Sequence, residues 1–297
     1  WQPIYRDSAT PALCFKLANA YNSAGNATKA RELLEDGRRR KLLEAPGYVM
    51  LATMYALDYA YDKAEKLFAE AKSLGRYTSD LQLEHAGFLM VQGDLERARK
   101  VLADLLEPAP GERDSRLNIR ARLTAGLVAA EKNEPDRLAA LRDMSSGGDP
   151  VHKAERAFYR ALNKSLADSS DALESMQEVH EQLGGVPVVN LVYARQRARA
   201  GNYERAVKLY RSLPPLILRS PIMIVELAAA QANMGEIDQA LSTLSSMHAK
   251  GAFSKSSLEL FRDLTFRKQL NDKSKAAQAL LEKKYPGDAG VQYSGAL

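Results

Sequence analysis

The chain has 297 residues, with 42 Lys and Arg against 37 Asp and Glu, a formal net charge of +5. Its 45% hydrophobic and 27% charged residues are those of a folded chain and exclude one disordered along its length. One Cys excludes a disulfide framework and a cysteine-built zinc site, four His leave little for a His-rich one, and no apolar run reaches the roughly 18 residues of a membrane span. Length alone predicts about two domains, an expectation that an internal repeat overrides.

Such a repeat is present. The first segment reads Leu17, Ala18, Tyr21, Gly25, Ala30, Leu34; the second Leu51, Ala52, Tyr55, Tyr59, Ala64, Phe68; the third Ala86, Leu89, Gly93, Ala98, Leu102. The offsets are 52 − 18 = 34 and 86 − 52 = 34, and Ala30, Ala64 and Ala98 repeat them. Further on, Ala194 and Ala228, Gly201 and Gly235, and Ala206 and Ala240 stand at the same distance. Within each copy, apolar residues recur at spacings of three and four, the mark of an amphipathic helix. Gly25, Gly93, Gly201 and Gly235 fall where the first helix of a pair stops, a left-handed position that suits glycine. Small residues such as Ala18 and Ala30 let the paired helices approach, and a bulkier side chain at either would overpack the contact.

The middle is less regular. A pair is predicted from Arg113 to Met144 with its turn at Asn133-Glu134-Pro135-Asp136, and its register needs about six extra residues around Pro108 to Arg113. Ser145 to Pro150 reads as a linker. A fifth pair follows, from His152 to Leu166 and from Asp171 to Leu183, its first helix ambiguous by one residue. Gly184-Gly185-Val186-Pro187 resets the chain for the sixth and seventh pairs. An eighth runs from about Ser256 to Leu281, with Asn271 at its turn and Ala276 in the small second-helix position. Tyr285 to Asp288 then leads toward a helix starting at Val291-Gln292-Tyr293. With a start at Trp1 and an end at Leu297, the expectation is a segment of a longer chain or a terminal capping helix.

At the small-residue, Tyr, turn-Gly and second-helix Ala positions the chain resembles the tetratricopeptide repeat (TPR) family, whose 34-residue unit is a helix–turn–helix. Pro110 adds to the likeness, while Cys14, Tyr48 and Gln82 stand where the family has an early Trp. The resemblance implies an all-α solenoid, a right-handed superhelix of about eight antiparallel helix pairs. The expected organisation is a single solenoid over 1–297, with regular repeats about 11–112, degenerate repeats about 113–186, regular repeats about 187–254, and a C-terminal pair and cap about 255–297.

Catalytic and cofactor chemistry find no foothold. His85, His152, His180 and His248 have no second His at ligand spacing, and His180 beside Glu181 reads as solvated. Cys14 reads as a buried small hydrophobe. Gly147-Gly148 and Gly184-Gly185 belong to no phosphate-loop pattern, and no Gly-x-Ser-x-Gly is present. Acidic pairs such as Glu32 and Glu35, or Asp168 and Asp171, read as solvation and capping groups. The expectation is a non-enzymatic chain without cofactor or metal.

Binding is the remaining chemistry. In the TPR family the inner groove is lined by first-helix positions two, five, nine, twelve and thirteen. Carried across, the N-terminal groove has Phe15, Asn19, Asn22, Val49, Thr53, Leu83 and Met90, an apolar strip suited to a partner helix or extended peptide. The C-terminal groove has Arg195, Arg199, Asn233 and Lys268, a basic hydrogen-bonding strip. A second basic run, Arg38 to Lys41, reads as a solvated helix end or an anion contact. The carboxylate clamp of co-chaperone repeats, which grips Hsp70 and Hsp90 C-termini, is not expected: Phe15 takes its Lys place, and Asp80 and Glu84 stand where its basic pair belongs. Nucleic acid is not expected either, because the charge is mild and no aromatic-interleaved basic stripe exists.

The expected function is a protein-interaction scaffold. The style of the array, rich in Ala, Leu and Arg, resembles the periplasmic TPR region of bacterial exopolysaccharide-secretion outer-membrane proteins. That likeness implies a periplasmic scaffold recruiting partners in polymer export, with an anionic or modified polysaccharide as a further ligand. A cytoplasmic assembly or regulatory protein that binds a partner's peptide is the alternative. Direct polysaccharide binding has less behind it, since only Phe15 and Phe261 are aromatics at inner positions.

Overall fold

Proline and polar caps start the helices. Thr10 Oγ1 accepts from Leu13 N ahead of Pro11, Asp149 accepts from the amides of Val151 and His152 ahead of Pro150, and Ser220 accepts from Met223 N ahead of Pro221. Each proline sits in the first turn, where its missing N–H costs nothing. The computed structural model describes residues 10–75, 77–106, 116–145, 147–167, 171–288 and 290–291. Pro110, Asp168, Gln292 and Tyr293, all used above, lie outside the described residues.

Among the described residues there are helices and no strand. They are α1 (Pro11–Ser23), α2 (Ala27–Arg39), α3 (Ala45–Ala56), α4 (Tyr61–Ser73), α5 (Ser79–Gln92), α6 (Leu95–Leu106), α7 (Arg116–Glu131), α8 (Pro135–Met144) and α9 (Pro150–Leu166). Next come α10 (Ala172–Leu183), α11 (Pro187–Arg199), α12 (Tyr203–Arg211), the single turn α13 (Pro215–Leu218), α14 (Pro221–Asn233), α15 (Ile237–His248), α16 (Lys255–Arg267) and α17 (Asn271–Lys284). The chain divides into two compact units, Trp1–Val128 and Ala129–Leu297.

In the first unit, α1 pairs with α2, α3 with α4 and α5 with α6, and the first helices stack α1 on α3 on α5. In the second unit the pairs are α9–α10, α11–α12, α14–α15 and α16–α17, with α14 stacked on α16. Second helices also pack on the next first helix, as α2 does on α3, α10 on α11, α12 on α14 and α15 on α16. These are tetratricopeptide-type hairpins, each burying its apolar stripe on a neighbour rather than in one central core.

The period governs the backbone itself. The left-handed residue ending a first helix is Gly25 (φ 77°), Tyr59 (59°), Gly93 (82°), Asn133 (55°), Gly201 (76°), Gly235 (82°) and Gln269 (59°). The intervals are 34, 34, 133 − 93 = 40, 201 − 133 = 68 or twice 34, then 34 and 34. The step of 40 carries the six extra residues expected before the fourth pair. Sequence reading found the four glycines of this set. Asn133 lies in the turn expected from the sequence and, as an Asn, tolerates the left-handed region; at Tyr59 and Gln269 turn geometry imposes that backbone on residues that do not favour it.

The small second-helix position follows the same count: Ala30, Ala64, Ala98, Leu138, Ala172, Ala206, Ala240 and Ser274, all buried. Here the eighth pair corrects the sequence reading. Ala276 is exposed; Ser274, two residues earlier, takes the buried place, and its hydroxyl donates to the Arg262 carbonyl at 3.2 Å. The fifth pair is settled as well. Ala161 is fully buried and Arg160 exposed, so the first helix runs one residue late there. At the far end Val291 packs on Leu258 and Leu281, and Asp288 Oδ1 accepts from the amides of Gly290 and Val291.

Candidate functional site

Packing consumes one face of each first helix and leaves another in water. On α11 the buried residues are Val188, Val189, Leu191, Val192, Tyr193, Ala194 and Gln196, while Arg199 is exposed. On α14, Ile222, Val225, Glu226, Ala229, Ala232 and Asn233 stay at least partly accessible, at spacings of 3, 1, 3, 3 and 1. That is one stripe of a helix. The same face carries the residues expected to bind.

The first unit offers less than expected. Asn19 and Asn22 are exposed, and Phe15, Thr53 and Met90 half-buried. Val49 is 1% exposed and Leu83 7%, so both belong to the core between helices. Phe15 holds the same position one period earlier and stays half-buried, so the copies of position five differ in how far the hairpin stack covers them. Above Gly87 a Cβ would meet nothing within 4 Å, so the stripe is open there.

The second unit holds the denser polar arrangement. Arg195 projects from α11 between two acids. Its Nε donates to Glu226 Oε1 at 3.1 Å and Oε2 at 3.0 Å, and Nη2 lies 2.9 Å from Oε1. Its Nη1 donates to Oε1 of Glu131, the last residue of α7. Burial works against the Arg195 charge, but the two carboxylates outweigh it and raise its pKa, so it stays protonated. Burial, with Glu226 adjacent, likewise holds the Tyr210 phenol well above its ordinary value.

Arg199 sits one turn beyond Arg195 and donates from Nη1 to Ser165 Oγ at 2.7 Å. Ser165 also accepts from Gln196 Nε2 at 2.7 Å. Asn233 is exposed and returns its amide to the Ala229 carbonyl at 3.0 Å. Lys268 lies elsewhere. It caps α16 and pairs with Asp238 at the start of α15, and the 34-residue offset from Ala232 falls on Phe266 instead. The strip expected to be basic is therefore compensated at Arg195 and keeps an exposed cation at Arg199.

Other singled-out residues prove structural. Arg38 forks onto Glu70, and Arg39 and Arg40 pair with Asp36. The side-chain hydrogen bond to Glu70 raises the Arg38 pKa. Cys14 is fully buried and its Sγ lies 3.7 Å from the Leu33 carbonyl. His180, expected in water, is half-buried with its ring 4.8 Å from that of Tyr193. Phe261 turns toward His248, ring centroids 5.2 Å apart.

Sequence reading missed Glu131, Ser165, Glu226, Ile222 and Phe266. Glu131 was legible in principle, since 199 − 131 = 68 places it two periods before Arg199. Ile222 is 53% exposed and Phe266 68%, the two most open large apolar side chains among the described residues. Among those residues no group of three or more His, Cys, Asp or Glu could hold a metal ion, and no helix is long and apolar enough to cross a membrane.

No protein-family model and no curated protein matches the chain. Among solved structures it is similar to pilF of Pseudomonas aeruginosa at 16% identity and a TM-score of 0.40, covering 96% of each chain. It is similar to the Cut9–Hcn1 hetero-tetramer of the APC/C at 12% identity and a TM-score of 0.44, over 95% of this chain and 75% of that one. A tetratricopeptide repeat protein of Parabacteroides merdae matches at 13% identity and a TM-score of 0.40, over 95% and 96%.

Proposed function

We propose that the chain is a non-enzymatic scaffold that binds a protein partner along the solvent-facing stripe of its first helices. One observation carries the reading. On helices whose alanines Ala18 and Ala228 are fully buried, Asn19 and Asn233 remain exposed at the inner positions. Hairpin packing makes no use of them, and a row of unused side chains spaced by stacked helices can follow an extended or helical ligand.

The test needs variants that leave packing alone. Arg195→Glu is unsuitable, because it would set three acids together where Glu131 and Glu226 now share one cation. Arg199→Glu combined with Asn233→Glu alters exposed side chains only. Lys208→Glu, on the second helix α12, serves as the control. The expected result is that immobilised wild-type chain and the Lys208 variant retain one shared set of proteins from a lysate, and that the double variant loses it. Identical retention by all three would sink the reading.

The export setting draws its support from the style of the repeats alone. No arrangement among the described residues favours an anionic polysaccharide over a protein ligand.

A further inference from the structure

The two carboxylates on Arg195 are held differently. Glu226 takes the side-on fork, meeting Nε and Nη2 with both oxygens between 2.9 and 3.1 Å, and its side chain is 26% exposed. Glu131 takes a single N–H, Nη1, with one oxygen, and is 38% exposed at the end of its helix. A forked pair is fixed in geometry, whereas a single-point pair at the surface is weak and screened. Releasing Glu131 returns to water a carboxylate that is already partly in it, and leaves Arg195 anchored by Glu226. Arg199, four residues on and therefore on the same face, is exposed and held at Nη1 by the neutral Ser165.

We propose that Nη1 of Arg195, together with Arg199, forms a seat for a side-chain carboxylate of an acidic peptide, and that Glu131 occupies this seat in the free chain. The inference rests on the stripe being the binding face, and it adds the ligand's chemistry. A cationic ligand would have to settle beside two guanidiniums. The one exchangeable group already there is a carboxylate, an intrachain sample of what the seat accepts. Glu131 then acts as a competitor that sets the threshold for binding: only a peptide whose acids meet both Arg195 and Arg199 displaces it.

The test is a titration of the full chain with fluorescently labelled hexaglutamate at low salt, alongside hexalysine. Glu131→Gln empties the seat of its competing charge and should tighten hexaglutamate binding about two- to fivefold, the range that a surface ion pair commands. Arg199→Gln should weaken it, and added salt should weaken all of them. Helical content by circular dichroism, unchanged in both variants, separates loss of the seat from loss of fold. Hexaglutamate binding to Glu131→Gln that is no tighter than to wild type overturns the proposal. So does hexalysine binding that Glu131→Gln abolishes. If the Arg199 and Asn233 double variant loses its partners while Glu131→Gln leaves hexaglutamate unmoved, the scaffold reading stands and the carboxylate exchange falls.

Discussion

His85 lies flat on Phe68, with ring centroids 4.7 Å apart and planes 11° from parallel. Phe88 lies 6.4 Å from the same ring and Tyr77 closes its edge at 6.3 Å. Its Nε2 is buried without a hydrogen-bond partner. Burial is the main cause that lowers its pKa from 6.5 to about 4, with Arg97 and Lys72 adding to it and Glu65 opposing.

This stack makes the first unit sensitive to acid. Above pH 6.5 the imidazole is neutral folded or unfolded, so it contributes no pH dependence. Between 6.5 and about 4 the unfolded chain takes up a proton that the folded chain refuses, and stability falls as pH falls. The full window is worth on the order of 3 kcal/mol. His85→Phe should keep the stack and flatten this part of the profile. Melting temperatures of both proteins from pH 4 to 7 check it, and parallel curves would count against the assignment. The comparison cancels His248, whose pKa burial also lowers.

A turn prediction follows from the left-handed set. Gln269 holds φ 59° at a position that is glycine one and two periods earlier, and its side chain is exposed. A left-handed backbone costs a non-glycine residue roughly 1–2 kcal/mol. Glycine's extra freedom in the unfolded chain takes part of that back. Gln269→Gly is therefore expected to stabilise the second unit by about 0.5–1 kcal/mol. Gly235→Ala, the reverse change at φ 82°, should destabilise it by about as much. Urea denaturation of the two variants measures both signs.

The register of the fifth pair can be tested by volume. Ala161 is fully buried and Arg160 exposed. Ala161→Leu should overpack the α9–α10 contact and cost about 1–3 kcal/mol. Arg160→Leu should stay within about 0.5 kcal/mol of wild type. Equal costs at the two positions would mean that the helix is rotated by about 100° from its place here.

Much of the fold was legible because a hairpin repeat is a local object. Apolar spacing, small residues and turn glycines act within 34 residues, and each copy restates them. Tyr59 and Gln269, left-handed where other copies have glycine, mark where the backbone follows the stack against local preference. Ala276 and Ser274 show the same limit. Two nearby small residues are equivalent in a sequence, and only the packing of α17 against α16 chooses between them.

The candidate site was legible only in part, and for a different reason. The sequence by itself determined the period, the pairing of helices and the presence of Arg195 and Arg199 on one helical face. Only the tertiary structure decided what those arginines meet. Glu226 and Glu131 stand 31 and 64 residues from Arg195, on other helices, and only the folded arrangement of those helices brings them onto its guanidinium. Charge in a sequence is counted residue by residue. Charge at a surface is what remains after such neighbours have paired.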